Sequence, residues 1–262
     1  MCVSCIYSDA ADSMKVTFIH PRFDVLSMPL TKPILDLVSS YPSATVVEIG
    51  VAQAEGAVQF LKMDTVDKYI GIDPWEHYDE APDEEFDDGY LDRKMGTWAS
   101  QDDFNDAEKH AKERLKPFGG RYRLLRDYSH NVTGDVTEQI DVLHIDGNHQ
   151  YEYVYRDLKL YYPKVKPGGL IIADDYTFTG SDIVGGYGGP KAYEVDKAVD
   201  EFCGNRDLEI NTIDGSAIII KPDEDNVENY HQRMNQVRRL SESSFNQFVK
   251  KSTKKVIDSL FR

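Results

Sequence analysis

The stretch Ile140–Tyr176, IDVLHIDGNHQYEYVYRDLKLYYPKVKPGGLIIADDY, decides the fold. Its first apolar run, Asp141 to Ile145, ends in Asp146-Gly147-Asn148-His149, and its second, Leu170 to Ala173, ends in Asp174-Asp175. Between them Tyr151, Val154, Tyr155, Leu158 and Tyr162 recur at three- and four-residue spacing, the period of an amphipathic helix, and Lys166-Pro167-Gly168-Gly169 closes it. Strand, helix and strand in this length imply a right-handed crossover between parallel strands. Both acidic clusters then fall at strand carboxyl ends, the edge at which open α/β sheets bind ligands. Three carboxylates and an imidazole at one rim suggest a hard-metal site with a base beside it.

Working outward, Thr45–Gly50 (TVVEIG) is a buried, β-branched strand and Ala54–Met63 the helix after it. Lys68–Asp73 and Tyr122–Leu125 continue the strands; Phe104–Lys116 and Ser129–Glu138 are expected as helices. After Asp175 come a glycine-rich stretch, Gly180 to Gly189, and a helix through Tyr193, Val195, Ala198, Val199 and Phe202. Strands Leu208–Ile213 and Ala217–Lys221 flank Asp214-Gly215, a hairpin signal. The sum is an α/β chain with a doubly wound, mostly parallel seven-stranded sheet. Residues 1–40 form a lead-in or cap, 41–223 the main domain, and 224–262 a helical tail.

A chain of 262 residues with 40% hydrophobic content can build one substantial core. A formal net charge of −16 argues against the broad basic face that nucleic acids require. No run approaches the ~20 apolar residues of a membrane span, and no basic-then-apolar leader is apparent, so a cytoplasmic protein is expected. Cys2 and Cys5 lack a second Cys/His pair to complete a zinc site, and with Cys203 they read as reduced thiols. The acidic insertion 76–106, with Trp75, Tyr78, Phe86, Tyr90 and Trp98, reads as a cover over the site or a subunit contact, with a homo-oligomer in view. The basic residues of the tail suit a helix docked on its own domain or on a second subunit.

The first strand points to a cofactor. In Glu48-Ile49-Gly50-Val51-Ala52-Gln53-Ala54-Glu55-Gly56, a small residue at the strand end allows a tight turn and close approach to a ligand. Glu48 can meet a cationic group, and Asp73, at the end of the second strand, can take ribose hydroxyls. Dinucleotide folds share that acid but seat their pyrophosphate on G-x-G-x-x-G. Here Ala52 and Glu55 replace the later glycines, giving a poorer phosphate cradle, so a nucleoside cofactor without phosphates fits better.

At these residues the chain resembles the class I S-adenosylmethionine-dependent methyltransferases, and within them the metal-dependent macrocin-type branch that methylates sugar hydroxyls. The resemblance rests on VVEIGVAQAEGA (46–57), YIGIDPW (69–75) and HIDGNHQYEYVYRDL…YPKVKPGGLIIADDY (144–176), and it covers about 45–221. It implies a Rossmann-like methyltransferase fold and S-adenosylmethionine as cofactor. Glu48 and Gly50 would contact the methionine portion, Asp73 the ribose and Asp127 the adenine amino group, with Val51, Ala52 and Gly56 also in the cofactor site. Asp146, which also adjoins the cofactor, would hold Mg2+ or Mn2+ with Asp174 and Asp175, and His149 would be the general base. Ala54 and Glu55 depart from the family's usual glycine pair. Asn148 stands where some members carry an acid proposed as base, which leaves that role to His149.

The chemistry is consistent with those roles. A sulfonium methyl group is already activated, so alignment and water exclusion are the main tasks. A sugar hydroxyl is a poor nucleophile until a base removes its proton and a dication stabilises the alkoxide. Histidine, titrating near neutrality, suits that base. His144, inside a strand, reads as a packed or hydrogen-bonded core residue, and His77, His110 and His130 have no motif. The glycine-rich stretch with Tyr176, Phe178 and Tyr187 suits close approach to a ring or a plain connector. Competing readings are a catechol-like phenol O-methyltransferase, a metal-dependent hydroxylase or hydrolase, and a degenerate fold acting as a binding module.

Overall fold

The computed structural model describes residues 30–76, 100–177 and 194–260. The expectations for Cys2 and Cys5, for most of the acidic insertion, for the glycine-rich stretch and for the side chains at the end of the tail fall outside the described residues.

The buried runs of the sequence become the strands of one sheet: β1 (Ala44–Ile49), β2 (Val66–Ile72), β3 (Tyr122–Leu125), β4 (Ile140–Ile145), β5 (Val165–Ala173), β6 (Asn211–Ile213) and β7 (Ser216–Ile220). Their order is β3-β2-β1-β4-β5-β7-β6. The first five strands are parallel, whereas β7 is antiparallel to both β5 and β6. The helices are α1 (Lys32–Val38), α2 (Glu55–Leu61), α3 (Gln101–Leu115), α4 (Tyr151–Tyr161), α5 (Val195–Gly204) and α6 (Val227–Leu260).

The two-residue period of the strands separates two cores. Val46, Tyr69, Val142, Leu170, Ile172 and Ile218 face α1, α2, α3 and the start of α6. Val47, Ile49, Ile70, Leu143, Ile145 and Ile171 face α4 and α5 through Val154, Leu158, Val199 and Phe202. Burial on both faces explains why the strands read as continuous apolar runs. The chain is thus an α/β/α sandwich with a mostly parallel, doubly wound seven-stranded sheet.

Some elements differ from expectation. Ser129–Glu138 forms turns rather than a helix. Val132 and Val136 have helical spacing, but Gly134 and the short polar side chains of this segment favour turns. Strand β6 begins only at Asn211, and β5 begins at Val165, so that Lys166-Pro167-Gly168-Gly169 lies within its span. The hairpin at Asp214-Gly215 has φ values of 49° and 101°, the left-handed pair of a tight primed turn.

The tail docks on its own domain through Met234 and Val237, both buried. The Arg233 guanidinium lies 3.5 Å from the centre of the Tyr41 ring, and the Tyr41 hydroxyl donates to the Gly168 carbonyl at 2.9 Å. Arg238 Nε donates to Glu209 at 2.9 Å. Among the described residues no helix is long and apolar enough to cross a membrane.

Candidate active site at the carboxyl edge of the sheet

Residues just past the strand ends stay in line because the backbone ladder continues beyond the strands. The amide of Gly50 donates to Ile72, Asp73 to Leu125, Asp146 to Ile49 and Asp174 to Ile145, at 2.8–3.1 Å. Four neighbouring strands therefore deliver Gly50, Asp73, Asp146 and Asp174 to one edge. The chain order reverses here, with β1 between β2 and β4, the kind of switch point at which open α/β sheets bind ligands.

The loop after β1 follows a glycine-like path with few glycines. Ala52 and Ala54 have φ of 47° and 67°, in the left-handed region that L residues rarely adopt. Asp73 supplies the compensation: Oδ2 accepts from the amides of Val51 (2.8 Å) and Ala52 (2.9 Å), and Oδ1 from Trp75 (2.8 Å). Trp75 Nε1 donates to the Ala52 carbonyl at 2.9 Å, and Arg114 to that of Gln53 at 2.9 Å. The expected ribose partner thus also holds the loop. Burial raises the Asp73 pKa, against the lowering effect of those amides. Asp127, after β3, accepts from Tyr128 N and Asn131 Nδ2, each at 2.7 Å, and these bonds lower its pKa.

Gly50 also has a structural task. Its φ is +92°, and a Cβ there would stand 2.0 Å from the Asp146 carbonyl oxygen. The missing side chain lets the ends of β1 and β4 meet. Gly50→Ala is expected to cost on the order of 3 kcal/mol or more through strain and overlap, read as a lower urea midpoint with an unchanged slope. An unchanged midpoint would contradict this contact.

Gly56 likewise makes room, since a Cβ there would lie 2.5 Å from Glu48 Oε1. Glu48 is 2% exposed and turned inward. One carboxylate oxygen accepts from the Tyr69 hydroxyl and the other from His144 Nδ1 at 2.9 Å. The expected cofactor contact is therefore part of a buried Tyr69–Glu48–His144 chain running across β2, β1 and β4. Burial opposes the charge of His144, but the Glu48 hydrogen bond and the carboxylates of Glu48, Asp146 and Asp174 raise its pKa to about 9. The packed, hydrogen-bonded reading of His144 holds for Nδ1.

The rest of the ring faces the edge. His144 Nε2 has no hydrogen-bond partner, and ligand atoms of His144, Asp146 and Asp174 lie within 4.8 Å of one another, close enough for one metal ion. Asp175, at φ 54°, stands outside that trio; its Oδ2 lies 3.4 Å from His149 Nε2, which is 3.8 Å from Asp146 Oδ1. Asp174 is held by the Ser216 hydroxyl, which donates to Oδ1 at 2.6 Å. Burial, then the nearby carboxylates, raise the pKa of Asp146 well above the usual range despite His144. Burial and Asp174 raise that of Asp175 to about 6. Burial lowers the pKa of His149, although Asp174 opposes it.

Sequence reasoning missed Tyr69, Ser216 and the outward nitrogen of His144. Ser216 carried a signal, as the sole polar residue of the otherwise apolar SAIII strand.

Comparison with known proteins agrees with this architecture. Residues 47–176 match the family model described as a methyltransferase domain. The O-methyltransferase NovP superposes with a TM-score of 0.54 at 18% identity, over 73% of this chain and 80% of its own. TomG, an O-methyltransferase from Streptomyces achromogenes involved in tomaymycin synthesis and solved with S-adenosylmethionine, gives 0.51 at 14% identity, over 77% of this chain and 85% of its own. An uncharacterized protein of Acanthamoeba polyphaga mimivirus is 38% identical over 63 residues, which is 22% of this chain and 28% of that protein. The likeness to the solved structures is one of fold, and the family match spans the strand-end residues from Glu48 to Asp175. Residues 47–176 are thus similar to a methyltransferase domain, and the solved O-methyltransferases share this chain's α/β fold.

Proposed function

We propose that the protein is an S-adenosylmethionine-dependent O-methyltransferase that uses a divalent cation and takes a sugar hydroxyl, on a glycan or a glycosylated small molecule, as acceptor. The observation that carries this reading is the meeting of Asp146 and Asp174 beside His149, at the edge that also holds the β1 loop and Asp73. The donor set fits a cation, since half-buried carboxylates crowd together at cost and a buried imidazole nitrogen beside them lacks a hydrogen-bond partner. The cofactor loop fits a cationic, hydroxyl-bearing nucleoside, because the edge presents Asp73 and Asp127 but no glycine-rich phosphate cradle.

Bound S-adenosylmethionine would supply an activated methyl group, and a bound dication would supply positive charge for the acceptor oxygen. The chain does the remainder. Asp73 keeps the β1 loop in shape and would meet the ribose, while Asp127 would meet the adenine. Asp146 and Asp174, with Asp175 adjoining, would hold the cation. His149 would take the proton of the acceptor hydroxyl at Nε2 as that oxygen accepts the methyl group.

The test is calorimetric titration of S-adenosylmethionine and S-adenosylhomocysteine, with and without a divalent cation, followed by acceptor profiling. Micromolar binding of both and turnover of methyl glycosides are expected. Turnover of catechols alone would replace the sugar with a phenol, and no binding of either nucleoside would remove the enzymatic reading.

A further inference from the structure

Within the metal site proposed above, one buried nitrogen lacks a role. His144 is 2% exposed and in contact with the Phe60 ring, 5.7 Å between centroids, so it cannot reach solvent. Its Nδ1 is committed to Glu48, whose other oxygen is committed to Tyr69. A carboxylate only accepts, so Nδ1 carries the hydrogen and the ring is fixed with Nε2 toward Asp146 and Asp174. That nitrogen hydrogen-bonds to neither carboxylate, yet a ring nitrogen of His144 lies within 4.8 Å of both. Ligands on one ion, at bond lengths of about 2.1 Å, lie roughly 3–4 Å apart, so small adjustments would seat all three.

We infer that His144 Nε2 is a ligand of the cation, with Asp146 and Asp174, and that this mixed nitrogen and oxygen set takes a first-row transition dication such as Mn2+, Fe2+ or Co2+ rather than Mg2+. The inference rests on the metal-dependent reading of the same site. Imidazole binds such ions better than it binds magnesium, which prefers oxygen and water. A ligating histidine usually donates its second N–H to a carboxylate, which sets its tautomer and direction. Glu48 occupies that place, and Tyr69 fixes Glu48 in turn. This assigns a purpose to a buried glutamate and to the glycine, Gly56, that makes room for it. It also separates the two histidines: His144 would bind the metal from beneath, and His149, on the outer side, would remain available to the acceptor.

Pulsed electron paramagnetic resonance of the full chain loaded with Mn2+ tests this. Modulation from an imidazole nitrogen is expected, with the change that 15N-histidine labelling produces, and it should persist in His149→Gln. In His144→Gln the modulation should vanish and Co2+ affinity fall by more than about tenfold, with Mg2+ affinity changed far less. If His144→Gln fails to fold, the labelled wild-type protein and His149→Gln decide the matter. Bound Mn2+ without nitrogen modulation, or modulation lost only in His149→Gln, would overturn the assignment while leaving the metal site standing. Absence of any Mn2+ binding would remove both the assignment and the metal reading, whereas nucleoside binding would still report on the methyltransferase reading.

Discussion

Asp146→Asn should abolish metal-stimulated turnover and remove the rise in melting temperature that a divalent cation gives, while S-adenosylmethionine affinity changes by no more than about threefold. The substitution keeps the shape of the side chain and removes its charge. If the cation contributes about 4 kcal/mol at the acceptor oxygen, losing it costs about a thousandfold in rate. Cofactor affinity is spared because the β1 loop is held by Asp73, Trp75 and Arg114, and the Asp146 amide still donates to Ile49. The metal-free variant should also melt higher than the wild type at neutral pH. The folded pKa of Asp146 lies above its ordinary value, so the stability linked to its protonation is complete at acid pH and is lost as pH rises through that folded pKa. Asparagine never ionises and avoids that loss. Calorimetric melting with and without Mn2+, beside a turnover assay, reads both effects. A variant that keeps its cation-dependent melting shift would show that Asp146 is not a ligand.

The sheet was legible because its strands are buried on both faces and leave continuous apolar runs, and because Asp146, Asp174 and Asp73 directly follow such runs. The hairpin was legible from Asp214-Gly215, a pair suited to two positive φ values. What stayed hidden depended on side chains brought together from distant positions. His144 read as a packed or hydrogen-bonded core residue, but its partner Glu48 lies 96 residues away. Asp174 meets Ser216 across 42 residues, through the hairpin's antiparallel strand. Ala52 and Ala54 looked like a departure from a glycine loop; the structure keeps the loop's path and ties it with Asp73, Trp75 and Arg114. Val132 and Val136 imitated a helix because a four-residue spacing also suits two turns that each bury one valine.

His149→Gln is expected to lower kcat by about a hundredfold or more, in the range of a lost general base, with little change in the binding of either nucleoside. The geometry supports a specific form of this loss. His149 follows the Asp146-Gly147-Asn148 turn, where Asn148 Oδ1 accepts from the Gln150 amide at 2.9 Å and the His149 carbonyl accepts from the Glu194 amide at 2.9 Å. The ring is therefore held on both sides of its own backbone, and its Nε2 faces the acidic pair from the outer side of the site. Burial already lowers its pKa, and a cation on Asp146 and Asp174 would push the same way, so the imidazole is neutral and able to accept a proton at neutral pH. For the wild type, kcat should then be level near neutrality and fall only as pH drops below the ordinary histidine range. In His149→Gln the remaining activity should lose that acid limb and rise steadily with hydroxide instead. A purely structural role would lower the rate without removing the limb, and a variant with an unaltered pH profile would assign the proton to another group.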